Sequence, residues 1–213
     1  MQYAIFSDIH ADLSALQAVW STLEAEGLTE RPVFNAGDTV GYGPDPELCV
    51  RFLCRHPNVV SVEGNYDKNV ALFPKREVAY RLKWGLVRPE KFETLAESSA
   101  AITDDTRHWL SDLPAEVSVT LDTVPIFMSH YSPGSKEGIG TWTPDSRLGE
   151  LAENTKAKVV VCGHTHTPFI RHVGGILWVN PGSLGRDISG QYRYAVLNLT
   201  PGLPPSAELK VAE

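Results

Sequence analysis

The chain opens on a short apolar run, Tyr3 to Phe6, and then changes period. Leu13, Leu16, Val19, Trp20 and Leu23 recur three and four residues apart, the apolar stripe of a helix. Asp12 is placed to cap that helix and Gly27 to end it. A second run follows, Val33 to Ala36, then a rigid turn, Gly41-Tyr42-Gly43-Pro44-Asp45-Pro46. A helix from about Glu47 to Arg55 and a strand from Val59 to Val62 complete the first part. This alternation predicts a parallel sheet with crossover helices.

From about Lys68 to Leu113 the rhythm breaks into helical segments with no strand between them, with Trp84, Leu95 and Trp109 as packing residues. The expectation is a helical insertion lying over the strand ends, within one domain spanning residues 1–213. The rest is richer in strands: Val117 to Leu121, Pro125 to Met128, Val159 to Cys162, Ile170 to Val173, Ile176 to Val179 and Tyr192 to Leu199. Gly174-Gly175 reads as a hairpin turn, and Ala207 to Val211 as an edge strand.

Composition changes this picture little. Of 213 residues, 42% are hydrophobic and 21% charged, which suits a soluble globular chain. The net charge of −7 and the lack of a visible basic stripe argue against nucleic acid and membrane surfaces as partners. Lys75-Arg76 and Lys156 to Lys158 read as solvated helix faces. Cys49, Cys54 and Cys162 form no zinc or redox motif and read as small buried hydrophobes. The first strand begins almost at the N-terminus, and no apolar stretch approaches the ~20 residues of a membrane span, so a cytoplasmic location is expected.

The candidate chemistry lies directly after the apolar runs. Asp8-Ile9-His10, Gly37-Asp38, Gly64-Asn65, Ser129-His130 and Gly163-His164-Thr165-His166 each follow one. Asp, Asn and His donate oxygen and nitrogen to first-row divalent metals, and an Asp can bridge two of them. Residues two apart on an extended chain point the same way, so Asp8 and His10 are expected to converge. His164 and His166 can serve different metals from one loop. A two-metal site of this kind is suited to cleaving phosphate esters. His56, His108 and His172 lie outside these segments and read as surface or packing residues. Tyr131, Ser132 and Arg186 are candidates for the cleft wall, and Asn180-Pro181-Gly182-Ser183 reads as a loop supporting the site.

The motifs occur in the order D-x-H, G-D, G-N-x-D, H and G-H-x-H, and on them the chain resembles the small prokaryotic branch of the calcineurin-like metallophosphoesterases. The phrases Gly37 to Pro44 and Asn180 to Ser183 strengthen the likeness. The resemblance implies a four-layer α/β/β/α sandwich of two mixed sheets flanked by helices. It implies two divalent ions, manganese foremost, with iron, zinc, nickel or cobalt as alternatives. Asp8, His10 and His166 would hold the first ion, and Asn65, His130 and His164 the second, with Asp38 bridging. The implied activity is hydrolysis of phosphodiester or activated phosphomonoester bonds in a small phosphate ester or nucleotide, by in-line attack of a metal-bound hydroxide. Position 66 departs from the family, which commonly has a histidine there to assist the leaving group, oriented by the following Asp. Here Tyr66, a much weaker acid, precedes Asp67. The alternative is a non-catalytic interaction scaffold on the same fold, as in the retromer subunit that resembles phosphoesterases.

Overall fold

A computed structural model describes residues 1–212. Among these residues ten strands form two five-stranded sheets. In the first, β1 (Gln2–Phe6), β2 (Val33–Asn35) and β3 (Val59–Ser61) run parallel, and β9 (Tyr192–Asn198) and β10 (Ser206–Ala212) add antiparallel beyond β1. The second has the order β4 (Glu116–Leu121), β5 (Val124–Ser129), β6 (Val159–Val161), β8 (Ile176–Asn180), β7 (Phe169–Val173). Within it β5, β6 and β8 are parallel, while β4 and β7 close the edges antiparallel. The architecture is the mixed α/β sandwich that the motifs implied.

Alternation along each strand explains why the sheets stack. Tyr3 and Ile5 face the second sheet and pack with Ile126, Met128, Val159 and Val161. Ala4 and Phe6, one residue out of phase, face α1 (Leu13–Ala25) and meet Leu16, Val19 and Leu23. On the far side, Val160 and Cys162 pack with Leu148 and Leu151 of α6 (Asp145–Ala152). Strands with two buried faces need continuous apolar sequence, which is why the runs look unbroken. Asp12 caps α1 as its position predicts, its Oδ1 accepting from the Ala15 N–H at 2.9 Å.

The helical insertion is real and is larger than its sequence limits. It comprises α3 (Asn65–Trp84), α4 (Pro89–Ala100) and α5 (Asp104–Asp112), packed around Val70, Phe73, Leu95 and Leu110. Its first helix begins at Asn65 itself. The sequence reading passed over α6, an eight-residue helix whose stripe is only Leu148 and Leu151. Lys156 to Lys158 therefore lie in the loop between α6 and β6, not on a helix face. Cys49 and Cys162 are buried, but Cys54 is exposed. On α2 (Pro46–Cys54), Cys49, Val50 and Leu53 point inward, and the next residue is turned about 100° away. No helix among the described residues is long and apolar enough to cross a membrane.

Candidate metal centre

Parallel strands end on one side of a sheet, so the segments after β1, β2, β3, β5 and β6 meet. His10 Nε2 lies 2.9 Å from His166 Nε2, and His166 Nε2 lies 3.2 Å from Asp8 Oδ1. Asp38 Oδ2 sits between two histidines, 4.0 Å from His10 Nε2 and 3.3 Å from His130 Nε2. The His130 and His164 rings stand edge-on, 5.2 Å between centres. Asn65 comes in from the start of α3 and accepts from the Tyr131 hydroxyl at 3.2 Å. All seven predicted ligand positions therefore gather at one place: Asp38, Asn65, His164 and His166 line a cleft, and Asp8, His10 and His130 are buried beside them. The donor atoms of five of them form two overlapping groups, Asp8–His10–His166 and Asp8–Asp38–His130, and Asn65 and His164 lie outside both.

The convergence of Asp8 and His10 has a different cause from the one their spacing suggests. β1 ends at Phe6, and Asp8 and His10 lie beyond it with φ of 53° and 50°. Asp38, His164 and His166 share this left-handed region at 54°, 68° and 56°. Non-glycine residues rarely adopt it, and where they do the surroundings must hold them. Here the holding groups are visible. The Asp8 N–H donates to Gly37 O at 2.9 Å, and the His10 N–H to Asp38 O at 3.0 Å. Ser7 Oγ donates to Asp8 Oδ2 at 2.6 Å, and the His164 N–H to the same oxygen at 3.1 Å.

A ring of supporting side chains lies behind the ligands. Asn180 donates to Gly163 O at 2.8 Å, and Ser183 Oγ to Asp8 O at 2.8 Å, the supporting role expected of that loop. Asn35, buried at the end of β2, accepts from the Gly37 N–H at 3.2 Å and holds the loop that carries Asp38. Its polarity on a buried strand was the signal that sequence reading missed. Asp67 is fully buried, and both its oxygens are occupied by backbone. Oδ1 accepts from the Val40 N–H at 3.1 Å, and Oδ2 from the Gly64 N–H at 2.9 Å. It ties two site loops together instead of orienting its neighbour.

The donor set fits divalent cations on its own terms. Asp8 Oδ1 and His130 Nε2 are buried without a hydrogen-bond partner. Such orphans are costly unless something is meant to meet them. His130 Nδ1 lies 2.8 Å from Ala36 O, which fixes a proton there and leaves Nε2, turned toward Asp38 Oδ2 at 3.3 Å, to meet a proton or a metal. Electrostatics agree. Burial opposes charge on His130, yet Asp38 and Asp8 outweigh it and push its pKa up to about 10. Burial likewise opposes charge on Asp38, but His130 and His10 hold its carboxyl below the usual range. Carboxylates that hold a proton this firmly would hold a metal cation in its place. Burial pulls His10 down to about 4, leaving a neutral imidazole. Burial and the nearby Asp38 push Asp67 up to about 7.

Comparison with known proteins bears directly on this geometry. The family model for the calcineurin-like phosphoesterase superfamily domain matches residues 1–202. The chain belongs to that superfamily. An uncharacterized protein of Methanocaldococcus jannaschii is 29% identical over 194 residues, covering 89% of this chain and 72% of its own length. A metallophosphoesterase from Sphaerobacter thermophilus superposes with a TM-score of 0.74 at 25% identity, over all of this chain and 88% of that one. A hypothetical protein from Pyrococcus horikoshii OT3 reaches a TM-score of 0.83 at 20% identity with the same coverage, which is a likeness of fold.

This member of the superfamily has a cleft of about 260 Å³, walled by Tyr42, Tyr66 and, from the insertion, Arg88, Glu90 and Lys91. Tyr66 packs against Tyr42 with ring centres 4.6 Å apart, and their hydroxyls are hydrogen-bonded. Burial, then the Tyr42 hydroxyl, push the Tyr66 pKa above its ordinary value. The Arg186 guanidinium lies over the Tyr42 ring, 3.6 Å from its centre, at the cleft edge. Tyr131 is half-buried beside Asn65, while Ser132 is buried with its hydroxyl unpartnered. His56 packs against Trp20, ring centres 4.1 Å apart, and His108 and His172 are exposed, so none of the three enters the site.

Proposed function

We propose that this protein is a dinuclear metal-dependent hydrolase of phosphodiester or activated phosphomonoester bonds. The observation that carries the reading is the pair of buried, orphaned atoms Asp8 Oδ1 and His130 Nε2 beside a cleft lined by four further ligand-type side chains, Asp38, Asn65, His164 and His166. Asp8, His10 and His166 would hold one ion, and Asn65, His130 and His164 the other, with Asp38 between them. When bound, such ions polarise a phosphoryl oxygen and make a hydroxide nucleophile available at neutral pH. Manganese is the proposed metal, since oxygen and nitrogen donors of this kind accept it readily.

The chain's own groups set the limits of the chemistry. In this reading Tyr66 would stand where a leaving group is assisted, but its proton is shared with Tyr42 and is hard to remove. The enzyme therefore favours leaving groups that depart without a proton. Arg186 and Lys91 flank the same two tyrosines and add positive charge where a phosphate would sit.

The test is turnover by purified protein with manganese, using p-nitrophenyl phosphate, bis-p-nitrophenyl phosphate and single-stranded DNA. Metal-dependent release of nitrophenolate with no cutting of DNA is expected. Absence of turnover with any divalent metal would favour a scaffold and overturn the reading.

A further inference from the structure

The insertion brings to the metal cleft a feature that the net charge of −7 conceals. A groove of about 500 Å³ adjoins the cleft and shares Asn65, Lys91 and His164 with it. Five cationic side chains line it, Lys68, Arg76, Lys83, Lys91 and Lys136, against a single carboxylate, Glu63. Glu63 is engaged with Lys68 at 2.8 Å. Glu137, next to Lys136, is taken by Arg147 at 2.7 Å. Among the described residues no carboxylate lies within 4.0 Å of the Arg76, Lys83, Lys91 or Lys136 charge. Trp84 orders two of the cations. Its ring lies 4.8 Å from Lys83 Nζ and 4.9 Å from Lys91 Nζ.

The geometry explains the direction of the groove. Lys68, Leu72, Arg76 and Lys83 follow Asn65 along α3 at helical intervals, so one face carries them all. That face starts at a proposed metal ligand and reaches Arg76 after about 16 Å, farther than one phosphate extends. Unpaired cations in a concave wall focus a field that attracts anions. The volume suits a small molecule better than a nucleic-acid strand.

We propose that the groove binds a phosphate-bearing remainder of the substrate. The preferred substrates are then small molecules of the nucleoside-polyphosphate kind, with one phosphate in the metal cleft and at least one more along α3. This rests on the phosphoesterase reading. The reaction needs no co-reactant: water oxygen bonds to the phosphorus in the cleft, the bond to the leaving oxygen breaks with its electron pair, and the water proton passes to solvent.

Two measurements on the full chain test it. Calorimetry with chelator-treated protein compares inorganic tripolyphosphate with orthophosphate. Steady-state kinetics with manganese compares adenosine triphosphate with p-nitrophenyl phosphate. Each is run on the wild type, on the Arg76→Ala/Lys83→Ala variant, and on a Lys75→Ala/Arg55→Ala control that removes the same charge outside the groove. Tripolyphosphate should bind tighter than orthophosphate. The groove variant should raise the KM for adenosine triphosphate about tenfold, leave its kcat and p-nitrophenyl phosphate turnover unchanged, and weaken tripolyphosphate binding alike. The control should behave as wild type. Equal losses in both variants, no preference for tripolyphosphate, or tighter binding of a single-stranded DNA 10-mer would overturn the proposal. Turnover of p-nitrophenyl phosphate with no variant-sensitive polyphosphate binding would sink the groove and spare the phosphoesterase. Variant-sensitive tripolyphosphate binding without any hydrolysis would do the reverse.

Discussion

Asp8 is common to the two ligand groups, and Asp38 links them from the other side, one of its oxygens facing both His10 and His130. Its other oxygen accepts from the Tyr66 N–H at 2.7 Å, a bond that asparagine can keep. Asp38→Asn should therefore fold normally yet lose bound manganese, with kcat/KM down more than about 100-fold. Metal content and melting temperature measured together check this, and full metal content would refute the shared role. Removing the metals exposes a second effect. The metal-free pKa of His130, about 10, lies above its ordinary 6.5. The stabilisation is thus fully present below about pH 6.5 and is lost as the pH climbs toward 10. Chelated wild type should lose melting temperature over that range more steeply than chelated His130→Gln. Parallel curves would show that His130 carries no such proton. At Tyr66, kcat/KM should fall steeply with leaving-group pKa. Tyr66→His should flatten that dependence, but by only about tenfold, below the 10²–10⁴ of an oriented general acid, because Asp67 is already bound to Val40 and Gly64. Equal slopes in the two proteins would remove Tyr66 from the leaving-group side.

At the scale of elements, the site is a set of loops clamped to one another, and Asp67 is the clamp between the loop after β2 and the start of α3. Asp67→Ala leaves two buried N–H groups without acceptors, which costs about 2–5 kcal/mol. It should also loosen Asn65 at the head of α3. Chemical denaturation would give the loss, and hydrogen exchange should show it concentrated in the first turn of α3 and around Val40. A uniform change across the protein would contradict a local clamp. Gly41 belongs to the same arrangement. Its φ is +96°, and a Cβ there would strike the Tyr66 ring. The Gly-Tyr-Gly-Pro turn is thus rigid for a reason that sequence reading assigned to the turn alone. Tyr66 fills the space that its glycine leaves.

Across the whole molecule, the ligands come from loops of both sheets, so a bound metal fastens the sandwich at one end. A ligand present at a hundredfold excess over its Kd adds about 2.7 kcal/mol. In a protein of this size that corresponds to about 5–10 °C in melting temperature. Calorimetry after chelation should show such a drop, and manganese should restore it. An unchanged curve after verified metal removal would count against the site.

The sequence by itself determined the strands, the loops that follow them and the order of the ligand-bearing segments. Those features are written in local periodicity: Tyr3 to Phe6, Val33 to Ala36 and Val159 to Cys162 must be apolar throughout because both strand faces are buried. The ends of the parallel strands in the two mixed sheets then carry Asp8, Asp38, Asn65, His130, His164 and His166 toward one place. Tertiary structure decided what local pattern cannot express. The left-handed backbone of Asp8 and His10 comes from hydrogen bonds to Gly37 and Asp38, nearly thirty residues away in sequence. The occupation of Asp67 by backbone donors depends on two loops meeting. Cys54 is exposed because its neighbour Leu53, and not it, falls on the inward side of α2. The basic groove escaped notice for the plainest reason. Charge summed along a chain gives −7, whereas a ligand meets the charge summed over a surface, and folding gathers Lys68, Arg76, Lys83, Lys91 and Lys136 onto one wall.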